Sequence, residues 1–273
     1  TKTQPGPWAG FSRAGLGGGR VLARPTYDRT RYHVMYSLLG TRCQKQLGME
    51  YEKHFIPLES DPQIFTSLMH NLGVPQFYKF IDIWSLETDQ LENIRFNIRN
   101  PVEALILILP DCPAYAEQRI EHSISKEDIL WLKQTINNAC GLYAILHCIC
   151  NTLDTRKLDP GSFIDGLMKE ISAEPAIYLQ NSPDLDLIYR NAALSGSSEP
   201  PAAETEIDHH YICLVRRSGC LYELDGDRTG PIYRGSVNDD EDTLSELGCN
   251  ILKMYMNNCP EGSFSLLALV NSS

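Results

Sequence analysis

Long apolar runs are missing from this chain. No stretch approaches the roughly 18 residues that a membrane-crossing helix needs, and the first residues hold no apolar segment of the kind found in a secretory signal. Cysteines are present at 43, 112, 140, 148, 150, 213, 220, 249 and 259, yet no two stand in Cys-x-x-Cys spacing. Cys148-Ile149-Cys150 is too tight for a metal knuckle, so no metal and no other cofactor is expected. Several of these thiols lie in apolar runs, where a free cysteine packs as a small hydrophobe. Basic charge is also scarce: 24 Lys and Arg against 35 Asp and Glu leave a net charge of −11. Such a surface repels nucleic-acid phosphates and anionic membranes and favours a basic peptide. The expectation is a reduced, soluble, monomeric protein, cytoplasmic with access to the nucleus, that binds neither nucleic acid nor membrane.

What is there suits one sizeable core. The 273 residues are 42% hydrophobic, ordinary for a globular protein. Residues 1–49 differ from the rest, with Gly10, Gly15, Gly17, Gly18 and Gly19 among scattered Arg and Pro and an excess of positive charge. They read as a mobile basic extension, with room for a short helix over Tyr32–Leu39, and residues 50–273 as one globular domain.

The globular pattern begins at His54-Phe55-Ile56-Pro57-Leu58-Glu59. Asp61 as N-cap and Pro62 at the first helical position predict a helix that Gly73 ends. Phe77–Trp84 alternates as a strand, and a polar helical stretch follows near Thr88–Leu91. Ala104–Pro110 is apolar on both faces, so it should be a central strand covered on both sides. Ser125-Lys126-Glu127-Asp128 predicts a helix start that leads through Trp131 to Gln134. Helices are expected over Pro160–Ile171 and Pro183–Ala193, then a hairpin of Tyr211–Val215 and Leu221–Asp225 about the Ser218-Gly219 turn, closed by Gly226. A helix over Glu241–Met256, with Leu244, Leu247, Ile251 and Met254 on one face, and a last strand over Phe264–Val270 complete it. The fold class is α/β of the α+β kind: a central, mostly antiparallel sheet with helices on both sides.

Between two of these elements lies Leu194-Ser195-Gly196-Ser197-Ser198-Glu199-Pro200-Pro201-Ala202-Ala203-Glu204-Thr205-Glu206-Ile207, which cannot build a core. It is expected to be an exposed mobile loop. A plain surface excursion and a gate over a site fit that composition equally.

The chemistry is concentrated where a polar turn runs into an apolar helix, Gln134-Thr135-Ile136-Asn137-Asn138-Ala139-Cys140-Gly141. The first turn of a helix has unpaired N–H groups and the positive end of the dipole, which favours the thiolate, the reactive form of cysteine. Gln134 carries an amide able to donate to an oxyanion, and Gly141 is expected to let a substrate backbone come close. Among the histidines His33, His54, His70, His122, His147, His209 and His210, His147 reads as a core residue of the cysteine helix. His210 opens a hairpin strand whose partner ends in Asp225, so a carboxylate can fix the imidazole tautomer. Alone, such a pair is more often structural than catalytic.

Gln134–Gly141 resembles the nucleophile motif of the ubiquitin C-terminal hydrolase family of cysteine deubiquitinases, His210-Tyr211-Ile212 its histidine segment and Leu221–Gly226 its aspartate segment. Pro57-Leu58-Glu59 with Leu72-Gly73-Val74 is similar to its N-terminal signature, and the likeness runs over about residues 52–271. The small single-domain branch, fungal members included, is the nearer comparison. The resemblance implies a papain-like architecture with a knotted backbone. It also implies Cys140 as nucleophile, His210 as general base and then acid, Asp225 as its orienting carboxylate, and Gln134 as oxyanion-hole donor with the Cys140 N–H. His210 is preferred to His209 because an aromatic residue follows it. The implied reaction is hydrolysis after the C-terminal glycine of ubiquitin or a ubiquitin-like modifier with a basic tail, through a thioester, releasing small adducts or peptides. The implied role of 194–207 is a crossover loop that limits the leaving group. Asn137 and Ala139 stand where relatives more often carry glycine and serine, and neither removes a catalytic group. The alternative is a catalytically silent ubiquitin-binding module; a papain-type general peptidase fits less well, because it usually orients its histidine with Asn.

Overall fold

The computed structural model describes residues 51–110, 115, 129–171, 173–205 and 207–272. The extension at 1–49, with Tyr32–Leu39 and His33, lies outside the described residues, as do His122, Ser125–Asp128 and Glu206.

The described residues form seven α-helices and six strands: α1 Pro62–Asn71, β1 Tyr78–Asp82, α2 Thr88–Ile98, β2 Val102–Pro110, α3 Cys140–Thr152, α4 Phe163–Glu170, α5 Pro175–Asn181, α6 Pro183–Leu194, β3 His209–Arg217, β4 Cys220–Leu224, β5 Ile232–Ser236, α7 Glu246–Asn258 and β6 Ser265–Asn271. The strands make one sheet in the order β1-β6-β2-β3-β4-β5, each neighbouring pair antiparallel. β2 is central, as its apolar run requires. Because side chains alternate across a strand, Ala104, Ile106 and Ile108 enter one core with α1, α3, α4 and α6, while Leu105, Leu107 and Leu109 enter a second core with α7. β3 divides in the same way, Tyr211, Cys213 and Val215 to the first core and Ile212 and Leu214 to the second.

Local signals set several ends. Asp61 caps α1 through Oδ1, which accepts from the N–H groups of Gln63 and Ile64, and Gly73 follows with φ of 109°. Ser218 and Gly219 both have positive φ, the geometry of a tight hairpin turn.

Elsewhere the boundaries differ from expectation. α2 runs to Ile98 rather than ending near Leu91. α7 begins at Glu246 because Ser245, not a residue near Glu241, supplies its cap, and its inner face is built by Cys249, Ile251, Leu252, Tyr255 and Met256. α5 and β5 have too little periodicity to be expected from their residues. Of the stretch expected to lead as a helix into Gln134, the described residues 129–135 are not helical. Their backbone is claimed by other parts of the chain. Leu130 N–H donates to Asn151 Oδ1 at 2.7 Å, Leu132 N–H to His147 Nε2 at 3.0 Å and Gln134 N–H to the Gly226 carbonyl at 2.9 Å.

Candidate active site

α3 starts at Cys140, and its N-cap residue, Ala139, provides no side-chain bond to the first N–H groups. The turn before it is shaped by Asn138, whose φ of 57° is left-handed, a conformation asparagine tolerates better than most residues. Asn137 is fixed on the other side by an early segment. Its N–H donates to the Lys53 carbonyl, its carbonyl accepts from Phe55 N–H, and its amide meets His54 Nδ1 at 2.9 Å. The missing side chain of Gly141 faces the core. A Cβ there would lie 3.2 Å from Leu58 Cδ1 and 3.5 Å from Phe65 Cζ, so the glycine lets α3 close on the core.

Gln134 is buried, and its Nε2 donates to the Ile136 carbonyl at 3.1 Å. The segment is held against the aspartate side by Gly226. A Cβ at 226 would lie 2.8 Å from Gln134 Cβ, so only glycine permits this approach.

His210 is the second residue of β3, opposite Leu109 of β2. The β3–β4 pairing begins at Cys213 and Leu224, so His210 and Asp225 meet diagonally past the end of the ladder rather than as a direct pair. His210 Nε2 nevertheless lies 2.8 Å from Asp225 Oδ1, which leaves Nδ1 as the ring nitrogen not committed to the carboxylate. Burial pushes the imidazole pKa down, but the Asp225 charge and the bonds to Asp225 and Cys140 outweigh it and hold His210 well above its usual 6.5. Asp225 is displaced in the opposite direction. Burial pushes its carboxyl up, and the His210 pairing, the Arg228 charge and the Tyr115 hydroxyl hold it well below the usual range. His209 takes no part in this pair.

Three other described histidines, His54, His70 and His147, make structural contacts. His54 bonds the Tyr51 carbonyl and His70 the Tyr78 carbonyl, and His147 is fully buried in α3 with Nε2 accepting from Leu132. Desolvation lowers the His147 pKa to about 4, so it is neutral.

The expected gate is only partly a loop, since Leu194 is the last residue of α6. The described part from Ser195 onward is tied down rather than loose. Ser197 Oγ and Ser198 N–H donate to the two Glu59 carboxylate oxygens at 3.0 and 3.1 Å, and Asn138 Nδ2 donates to the Ala203 and Thr205 carbonyls at 2.7 and 2.8 Å. Beneath it opens a mainly apolar pocket in which Leu58, Pro200, Ile207 and Tyr211 surround Cys140. Glu59 and Asn138 carry no local signal for this clasp, because their partners lie 138 and 65 residues away. Asp227, whose N–H donates to Asp225 Oδ1 at 2.8 Å, does not figure in the sequence reading, and its one signal is the Asp-Gly-Asp sequence at 225–227. Among the described residues no cluster of three or more His, Cys, Asp or Glu could hold a metal ion, and no helix is long and apolar enough to cross a membrane.

Comparison with known proteins agrees with this geometry. The family model described as ubiquitin carboxyl-terminal hydrolase, family 1, matches residues 55–257. The ubiquitin carboxyl-terminal hydrolase YUH1 of Saccharomyces cerevisiae is 32% identical over 228 residues, covering 78% of this chain and 94% of its own. A ubiquitin carboxyl-terminal hydrolase of Drosophila melanogaster is 34% identical over 224 residues, covering 78% and 96%. In fold, the chain is similar to the Trichinella spiralis UCH37 catalytic domain bound to ubiquitin vinyl methyl ester. The TM-score is 0.64 at 24% identity, with 82% of this chain and 99% of that one covered.

Proposed function

The chain belongs to family 1 of the ubiquitin carboxyl-terminal hydrolases, and from that membership together with the site we infer thiol-dependent hydrolysis of the bond after the C-terminal glycine of ubiquitin or a close relative of it. It is a cysteine-type hydrolase. The observation that carries the assignment of roles is the His210 Nε2–Asp225 Oδ1 contact of 2.8 Å beside a cysteine at a helix start.

In the reaction so read, the Cys140 proton passes to His210 Nδ1 before attack, and the sulfur adds as a thiolate to the carbonyl carbon of the terminal glycine. Asp225 fixes the tautomer by accepting from Nε2 and stabilises the imidazolium that forms. The oxyanion meets the Cys140 N–H and the N–H of Gln134 Nε2 that does not go to Ile136. Collapse of the tetrahedral species breaks the C–N bond, with the imidazolium proton going to the leaving amine, and leaves a thioester. Water then attacks that thioester, His210 taking its proton, and the freed carboxylate departs with the thiol restored. The substrate tail lies in the pocket under the 195–207 loop, so only leaving groups that pass the loop are released.

A net charge of −11 supports a basic substrate tail and gives no support to nucleic-acid binding. Because the reacting groups all come from one chain, we propose action as a monomer, in the cytoplasm and nucleus. Incubation with a fluorogenic amide of the ubiquitin C-terminus tests the reading. Release of fluorophore by the chain, and none by Cys140→Ala, is expected. Binding without release by the unaltered chain would favour the silent binding module instead.

A further inference from the structure

The Asp225 carboxylate is held by more than the imidazole. Oδ1 accepts from His210 Nε2 and Asp227 N–H, while Oδ2 accepts the Tyr115 hydroxyl at 2.6 Å and faces Arg228 Nε at 3.5 Å. Tyr115 also touches the base itself. Its ring centroid lies 5.1 Å from that of His210 at 43°, and Arg228 Cζ sits 4.9 Å from the same ring. Tyr115 and Arg228 are both buried, so no water competes freely for these contacts.

Arg228 is an unusual occupant of such a place. Its Nε, Nη1 and Nη2 are buried without hydrogen bonds, at 3.5 Å from Asp225 and also from Glu223. Glu223 does not require it. That carboxylate already has direct partners in Arg234, at 3.0 and 2.5 Å, and the Tyr255 hydroxyl, at 2.8 Å. A buried cation without a direct bond is costly, and Arg228 is held there by the fields of both carboxylates, Glu223 and Asp225, each 3.5 Å away.

We infer that Tyr115 and Arg228 are positioning residues for the reaction, acting through the Asp225–His210 pair. A carboxylate turns about its terminal bond and an imidazole about a broad, two-fold torsion, so neither is fixed by a single contact. The phenol restrains both. Its hydroxyl fixes the second Asp225 oxygen with a short, charge-assisted bond, and its ring closes one face of His210. Arg228 backs the ring and supplies the positive field behind Oδ2.

The inference rests on the reading of Cys140, His210 and Asp225 as the reacting groups, and a double-mutant cycle on the fluorogenic ubiquitin amide separates the two. Tyr115→Phe keeps the ring and removes the donor. A fall in kcat of about 10-fold or more is expected, with KM within about two-fold, since a hydrogen bond to a charged group is at stake. In an Asp225→Asn background the same change should have almost no effect, because Tyr115 then has no carboxylate to hold. A merely structural tyrosine would lower activity equally in both backgrounds. Should Tyr115→Phe fail to fold, the cycle is run with Arg228→Met, with Arg228→Lys expected to restore most of the loss. Unchanged kcat in the single variant, or an equal loss in both backgrounds, overturns the inference while the site reading stands. An Asp225→Asn enzyme as active as the unaltered chain overturns the site reading instead.

Discussion

The side-chain amide of Asn138 donates to the Ala203 carbonyl at 2.7 Å and so fastens the loop over the site to the turn that leads into Cys140. A second bond, to the Thr205 carbonyl at 2.8 Å, comes from the same nitrogen. The loop thus closes on a residue two positions before Cys140, and Glu59 holds it nearer α6.

Asn138→Gly removes this clasp and keeps the left-handed backbone. Two bonds of about 1 kcal/mol each would shift the loop toward open by roughly 10- to 30-fold. Ubiquitin carrying a bulky folded leaving group should then be cleaved faster relative to the small fluorogenic amide. The ratio of the two kcat/KM values, in Asn138→Gly and in the unaltered chain, is the measurement; an unchanged ratio would mean that the clasp does not limit entry.

Asp225→Asn should lower kcat by about 100-fold or more, as loss of the orienting carboxylate does in comparable catalytic sets. It should also change the pH profile. Asp225 holds the His210 imidazolium well above its ordinary range against the effect of burial, so without the carboxylate the imidazole loses its proton at lower pH. The alkaline limb of kcat/KM, where the imidazolium is lost, moves down in the variant.

Gln134→Ala should reduce kcat on the order of 100-fold, the usual cost of one oxyanion donor, while leaving ubiquitin affinity within about two-fold. Affinity is best read by calorimetry with both proteins also carrying Cys140→Ala. Equal kcat would remove Gln134 from the site.

His147 links stability to pH. Its folded pKa of about 4 lies below the ordinary 6.5, so the unfolded chain binds its proton first as the solution is acidified. The stability tied to the neutral form is complete above about pH 6.5 and is lost as pH falls toward 4, by an amount on the order of 3 kcal/mol. Denaturant unfolding of His147→Gln should show a flatter dependence across that window. A slope equal to that of the unaltered chain would mean that His147 does not carry the effect.

The residues made some of this architecture legible and concealed the rest for physical reasons. The seven apolar residues from Ala104 show a strand buried on both faces, because only alternation into two cores accommodates them. Cys140, His210 and Asp225 were legible through short motifs, and Asp61-Pro62 through capping chemistry. The stretch before Gln134 misleads, since its own pattern is helical while its N–H groups are taken by Asn151, His147 and Gly226, all distant in the chain. Gly141 misleads for a related reason: the space it leaves is filled by Leu58 and Phe65. Tyr115 lies 110 residues from Asp225 and carries no motif, so its contact is visible only once the chain is folded.

The central claim is that Cys140 forms the covalent bond to the ubiquitin C-terminus. Reaction of the chain with ubiquitin vinyl methyl ester, followed by mass spectrometry of the digested adduct, tests it most directly. One adduct on the peptide containing Cys140, none in Cys140→Ala and a much slower reaction in His210→Ala are predicted. An adduct on any other of the nine cysteines, or equal labelling of Cys140→Ala, would contradict the account.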